Sequence, residues 1–421
     1  MEKSHDDKQH QSNDFLKQQL ITYMGNKRKL LTHIDDIITH VQNQLGGRTI
    51  SFADPFSGSG VVSRLALASG RVHHLLTNDL ALYAHTCNLC YLRTPTNHTR
   101  TLIHALIDTA NALPDPTSTE DLWIARFWAP ADDTHIIEGE RCYFTRENAL
   151  RIDAIRNFIA SDAVPENLKP YLLAPLLVQA SIHNNTNGQF AAFYKDAEGI
   201  GAFGGKKATD VKRITQRIAL PYPCWLDENT TLDSQSEPEY VLELSQKDAL
   251  QWTRDVSTTV DLLYLDPPYN KHPYAIYYFL LDIIAHWDKT IEIPDSYRGQ
   301  PKTWIKSPFN SSIGAANALR TMIADTPARF VALSYYDAGI LSVEEIDALL
   351  AEYGSVERHP IQHNVYKRLH GLGAYKRSEQ QSKQASMGSE VGGATCIRED
   401  SADTSSTGAK EYMWLLRKVP K

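Results

Sequence analysis

The chain has 421 residues, room for two or three domains at about 100–200 residues each, which excludes a minimal peptide-binding module. Hydrophobic residues make up 42% and charged residues 22%, so the chain can bury a core and is not disordered throughout. With 43 Lys and Arg against 50 Asp and Glu, the net charge of −7 excludes a protein coated in positive charge but not a local basic groove. Five cysteines are too few for a disulfide scaffold, and the polar start MEKSHDDKQHQSNDFLK has no apolar stretch to act as a secretory signal. The expected setting is reducing and cytoplasmic, with no membrane partner: the most apolar run, Tyr274 to Trp287, is broken by Asp282 and His286 and is shorter than the ~20 residues of a span.

In chain order, residues 1–17 read as a disordered tail. Leu31, Ile34, Ile37, Ile38 and Val41 recur at helical spacing before Gly46-Gly47 stops the helix. A strand at 49–53, a glycine turn at 54–60, a helix at 61–69 and a strand at 74–77 then follow one another. This is βαβ grammar, which predicts a parallel sheet with ligands at the carboxyl ends of its strands. Residues 97–238 break the rhythm with helical patterns at 148–159 and 169–181 and read as an inserted, mainly helical lobe. The α/β pattern resumes with strands at 241–244, 260–265 and 330–334 and helices at 277–287 and 343–351. Residues 378–410, rich in Ser, Gly, Thr and Gln, read as a low-complexity disordered excursion before a last strand at 412–416. The expected division is a split catalytic sheet (18–96, 239–377 and 411–421) around the insertion.

Two motifs carry chemistry. Asp54-Pro55-Phe56-Ser57-Gly58-Ser59-Gly60 lies between a strand and a helix, where glycines let backbone approach a ligand. Ser63 takes the place of a third glycine, and Asp79 is the acid expected about 20 positions on, suited to the ribose hydroxyls of NAD or of S-adenosylmethionine. The second motif is Asp266-Pro267-Pro268-Tyr269, at the end of a buried strand. Its prolines fix φ and donate no hydrogen bonds, which makes a stiff loop rich in acceptors. The exocyclic amine of adenine or cytosine needs such acceptors: bonds from its N–H groups to the Asp266 carboxylate and the Pro267 carbonyl would aim its lone pair at an electrophilic methyl. Tyr269 offers a ring for a base to stack on.

With these motifs in view, the chain resembles the D12 class of adenine-specific DNA methyltransferases, the α group that includes Dam-like enzymes. Thr22 to Leu31 looks like the N-terminal cofactor motif, Asp54 to Gly60 the glycine motif, Asn78-Asp79 the ribose-binding acid, Lys247-Asp248-Ala249 the adenine-contacting motif and Asp266 to Tyr269 the catalytic motif. The resemblance implies a Rossmann-like S-adenosylmethionine-dependent fold with residues 97–238 as target-recognition lobe. It further implies a cofactor pocket made by Tyr23, Lys27, Asp54, Pro55, Phe56, Gly58, Gly60, Asp79 and Asp248. Asp266, Pro267, Pro268 and Tyr269 become the catalytic residues, double-stranded DNA the substrate partner, and a cognate restriction endonuclease a partner that the sequence neither requires nor excludes. After the catalytic motif, Tyr274 and Tyr278 keep the family's aromatic positions while Pro273, Tyr277, Phe279 and Asp282 depart from it.

In the insertion, the glycine-rich stretch 201–217 carries Lys206, Lys207, Lys212 and Arg213, which suit phosphate contact or simply a solvated face. Asn185, in His183 to Gly188, could set an amide against a base edge or belong to a turn; Arg141 and Arg146 are candidates for DNA contact. Cys87-Asn88-Leu89-Cys90 has no second pair to complete a zinc site and reads as buried thiols, so no metal is expected. Other readings on the same residues are methylation of cytosine N4 or RNA adenine, a catalytically silent DNA-binding relative, and a nicotinamide oxidoreductase, which Ser63 disfavours.

Overall fold

The computed structural model describes residues 15–16, 18–22, 25–204, 208–226, 240–302, 307–361 and 410–419. Seven strands form one sheet: β1 (Ile50–Asp54), β2 (Val72–Asn78), β3 (Val241–Ser245), β4 (Val260–Leu265), β5 (Ala328–Tyr336), β6 (Gly354–Ile361) and β7 (Glu411–Lys418). Their order is β3-β2-β1-β4-β5-β7-β6, with β1 to β5 parallel and β7 running antiparallel to both neighbours. The chain builds outward from β1 to β3 and then returns to lay β4 on the other side of β1. That reversal leaves a crevice beyond the carboxyl ends of β1 and β4, where open α/β sheets bind ligands. Asp54 ends β1 and Asp266 follows β4 directly, so both acids stand at this crevice.

The central strands are buried on both faces, and their residues alternate between two cores as a pleat requires. Phe52, Leu262, Tyr264, Phe330 and Ala332 pack on one side with Ile34, Ile38 and Val41 of α1 (Leu31–Gln44) and Val62, Leu65 and Ala66 of α2 (Val61–Ala68). Ala53, Leu263, Leu265, Val331 and Leu333 face the other way. A third apolar cluster joins α3 (Leu82–Leu92) to the insertion, which supplies α4 (Asn97–Ala112), α5 (Ile124–Phe127), α6 (Arg146–Ala160), α7 (Lys169–Ile182) and α8 (Ala208–Thr215). The second core is closed by α9 (Ala249–Asp255), while α10 (Tyr274–His286) joins the third cluster; α11 (Ser312–Asp325) and α12 (Val343–Ala351) complete the second core. The lobe's apolar residues therefore run continuously into α3 and α10 of the catalytic part, and the insertion has no separate core.

Three expectations need correction. Phe15 is not part of a loose tail: it is 1% exposed, its carbonyl accepts a bond from Arg64 Nη1 at 2.6 Å and the Arg64 guanidinium lies over its ring. Helix α10 starts at Tyr274 rather than 277 and departs from helical geometry at Tyr278 (φ −123°, ψ 15°). Strand β6 and helices α9 and α11 escaped the periodicity reading. β6 is an edge strand, Gly-Ser-Val-Glu-Arg-His-Pro-Ile, whose mostly exposed residues carry no apolar alternation; Pro360 is tolerated there because only β7 pairs with it. The excursion at 378–410 lies outside the described residues apart from Lys410.

Candidate active site

A cleft of about 1040 Å³ opens at the crevice and is lined by Lys27, Asp54, Pro55, Phe56, Gly58, Asp79, Asp248, Asp266 and Pro268, among others. The glycine turn forms its floor. Gly58 (φ 53°) and Gly60 (φ 78°) adopt left-handed backbone, and a Cβ on Gly60 would stand 2.2 Å from Asn88 Oδ1. Asp79 ties the turn to β2: its Oδ2 accepts from Gly58 N at 2.8 Å and its Oδ1 from Ala81 N at 2.9 Å. Burial pushes the Asp79 carboxyl up to about 6 against these bonds.

Asp54 is 1% exposed, and its Oδ2 accepts a 2.8 Å bond from Ser63 Oγ. Ser63, at the place of the third glycine, is thus the anchor of the first acid. Asp54 Oδ1 is buried without a hydrogen-bond partner among the described residues. Burial, with Asp266 and Asp79 nearby, raises the Asp54 carboxyl to about 7 despite the Ser63 bond. An orphaned acceptor beside other acids fits a cationic ligand, whose charge would restore full ionisation. Phe56 stands edge-on to Phe309 (5.2 Å between centroids) and puts an aromatic wall on the cleft. Asp248, which lines the cleft, caps α9 by accepting from Leu250 N and Gln251 N through Oδ1.

Beside Asp54 at the crevice lies the loop after β4. Asp266 Oδ1 is 2.9 Å from Lys27 Nζ, and the same ammonium is 2.6 Å from Glu411 Oε1 on β7. Lys27 is 3% exposed; its two carboxylate partners hold its pKa well above the ordinary lysine value against the effect of burial. Burial raises the Asp266 carboxyl to about 6; Lys27 opposes the rise and Glu411 adds to it. Pro267 is buried behind the cleft-lining Pro268. Tyr269 is half-buried, its ring 6.0 Å from Tyr335 and 5.9 Å from Tyr336, and its carbonyl accepts from Ile340 N. A Cβ on Gly25 (φ 73°) would come 2.6 Å from the Tyr269 hydroxyl, so glycine lets the N-terminal segment close over the loop. Asn310 Nδ2 holds the Asn270 carbonyl at 2.8 Å and fixes the end of the loop.

Glu411 has no role legible in the sequence, since a lone acid at the start of a strand has no local signature, and Ser63 has none beyond standing where a third glycine is expected. Asp282 of α10 also lines the cleft, and burial with Asp79 nearby raises it to about 7. Tyr23, Lys206 and Lys207 fall outside the described residues. The other residues expected to touch DNA are distributed unevenly. Lys212 is exposed on α8. Arg141 bonds the carbonyls of Phe127, Pro294 and Ser296, and Arg146 that of Ala125. Arg213 bonds the carbonyls of Ile182, Asn184 and Thr186. Asn185 is fully buried: its Nδ2 donates to Cys142 O and Ala202 O, both at 2.8 Å, and its Oδ1 accepts from Gly204 N. Neither of its amide hydrogens remains for a base edge. Asn185→Ala is therefore expected to cost about 2–3 kcal/mol of stability, read as a lowered denaturation midpoint, because it strands buried carbonyls. An unchanged midpoint with weakened DNA binding would reverse that assignment.

Cys87 and Cys90 are buried free thiols, and burial pushes Cys87 up to about 12. Among the described residues no group of His, Cys, Asp and Glu could hold a metal ion, and no helix is long and apolar enough to cross a membrane.

Residues 23–202 match the family of D12 class N6 adenine-specific DNA methyltransferases. The Type II methyltransferase M.CviAII of Paramecium bursaria Chlorella virus 1 is 29% identical over 82% of this chain and 93% of its own length. M.NlaIII of Neisseria lactamica is 26% identical over 82% of this chain and 92% of its length, and M.FokI of Planomicrobium okeanokoites is 26% identical over 82% and 49%. No solved structure matches the chain significantly.

Proposed function

We propose that the chain is a D12 class N6 adenine-specific DNA methyltransferase, the family that residues 23–202 match, and that its cleft methylates a flipped-out adenine. The observation that carries the reading is a shared cleft: Asp54, whose Oδ1 is orphaned, lines the same cavity as Asp266 and Pro268 of the loop after β4. S-adenosylmethionine suits this cleft, with Asp54 facing its cationic methionine portion, Asp79 the ribose hydroxyls, Phe56 and Asp248 the adenine. When bound, it supplies an electrophilic methyl on a sulfonium leaving group.

The chain's own residues do the rest. Duplex DNA hides the adenine amine, so the base leaves the stack at a cost of a few kcal/mol. Asp266 and the Pro267 carbonyl accept its two N–H bonds and hold the nitrogen lone pair toward the methyl. After transfer the nitrogen carries one proton too many, and Asp266, poised near 6, is a better acceptor for it than an ordinary carboxylate. Lys302 at the cleft and the exposed Lys271 just after the catalytic loop supply positive charge where the phosphate backbone would pass, and the exposed Lys212 adds a cation on α8. The similarity to Type II methyltransferases supports a place in a restriction-modification system.

DNA from cells expressing the protein, digested to nucleosides and analysed by mass spectrometry, should contain N6-methyladenine. N4-methylcytosine in its place would overturn the adenine assignment on this scaffold.

A further inference from the structure

The contact that no motif anticipated lies behind the catalytic loop. Lys27 Nζ sits between two carboxylates, Asp266 Oδ1 at 2.9 Å and Glu411 Oε1 at 2.6 Å, and Ser334 Oγ of β5 donates to the same Glu411 oxygen at 2.9 Å. Glu411 opens β7, the strand inserted antiparallel beside β5, and it is brought here by pairing with Tyr336. The site thus draws on the N-terminal segment, the end of β4 and the C-terminal strand.

We propose that Glu411 is a positioning residue that shares the Lys27 ammonium with Asp266 and so sets the proton affinity of the catalytic carboxylate. This rests on the role given to Asp266 above. An ammonium paired with Asp266 alone would hold that carboxylate strongly ionised and draw its lone pairs away from the target amine. Drawn also toward Glu411, the same ammonium orients Asp266 but neutralises it less, and the added negative charge of Glu411 makes Asp266 more basic. Asp266 then keeps acceptor strength for the adenine N–H and for the departing proton. Among the described residues, the groups that face it are Lys27 from the N-terminal segment, Glu411 from β7, Asp54 from β1, Tyr264 from β4 and Tyr269 from its own loop. Of these, Lys27 and Glu411 are the charged pair in direct contact.

The test is the pH profile of single-turnover methyl transfer, at saturating DNA and S-adenosylmethionine, in the wild type, Glu411→Gln, Ser334→Ala and Asp266→Asn. Glu411→Gln keeps size and hydrogen-bonding capacity while removing the charge. Its acid limb should move to lower pH by at least about half a unit, with the plateau rate reduced and the dissociation constant for S-adenosylmethionine, measured by calorimetry, within about twofold of wild type. Ser334→Ala removes a bond to Glu411 and leaves the charge, so its limb should stay in place. An unmoved limb in a folded Glu411→Gln protein, alongside an inactive Asp266→Asn, overturns the role of Glu411 alone. Asp266→Asn with near-normal transfer overturns the reading of Asp266 itself. If Glu411→Gln does not fold, Glu411→Asp carries the test: the charge is retained, and a limb at the wild-type position with transfer preserved supports the proposal, whereas a limb displaced downward as far as loss of charge would move it overturns it.

Discussion

Asp266→Ala is expected to lower single-turnover methyl transfer by about 10²–10³-fold or more while leaving the affinity for S-adenosylmethionine within a few-fold of wild type. The asymmetry follows from the layout of the cleft. Asp54, Asp79 and Asp248 stand on the glycine turn, β2 and the start of α9, and none of them is held by Asp266. Asp266 instead follows β4 and contacts Lys27, and its loss removes an acceptor that is useful only once an amine is present. Within that range the affinity should rise slightly, since Asp266 contributes to the raised pKa of Asp54, and removing it lets Asp54 ionise more readily toward a cation. Calorimetry for the cofactor and labelled-methyl incorporation into DNA separate the two effects. Loss of cofactor binding in step with activity would move Asp266 from the target end of the cleft to the cofactor end.

The catalytic sheet was legible because its strands obey a simple rule: buried on both faces, they read as short apolar runs, each ended by the residue that does chemistry, Asp54 after Ala53 and Asp266 after Leu265. Glycine and proline mark the two loops for reasons of backbone geometry that hold in any context. The insertion follows no such rule. Asn185, Arg141 and Arg213 have the composition of a nucleic-acid surface, yet each satisfies backbone carbonyls of irregular segments. Nothing in a local window separates an arginine that meets a phosphate from one that meets a carbonyl. Glu411 was hidden for a different reason: its partner Lys27 is near the other end of the chain, and only the antiparallel pairing of β7 with β5 brings the two together.

Lys27→Met should be the most damaging single change to both stability and turnover. Removing the ammonium leaves Asp266 and Glu411 close together in a buried site without their counter-charge, which costs about 3–5 kcal/mol when one partner of a buried ion pair is deleted. The deficit should depend on pH in a definite direction. Asp266 already has a folded pKa raised to about 6 from 3.8, so the folded state holds its proton more tightly than the unfolded chain and its burial becomes less favourable as pH rises through that window. Without Lys27 the two carboxylates share a proton and the window extends upward. Lys27's own contribution is fully present below the ordinary lysine value near 10.5 and is lost only as pH rises through its higher folded pKa. Between pH 4 and 8 the stability gap between wild type and Lys27→Met should therefore widen, and near pH 4, where protonation relieves the buried carboxylates, it should narrow to the difference in packing. Transfer near neutral pH should fall with it, since a protonated Asp266 is a weaker acceptor for the adenine N–H and cannot take the departing proton. Denaturant midpoints measured across this range test the argument: a deficit independent of pH would mean that Lys27 supports the site by its bulk, and that its charge is not what holds the two acids in place.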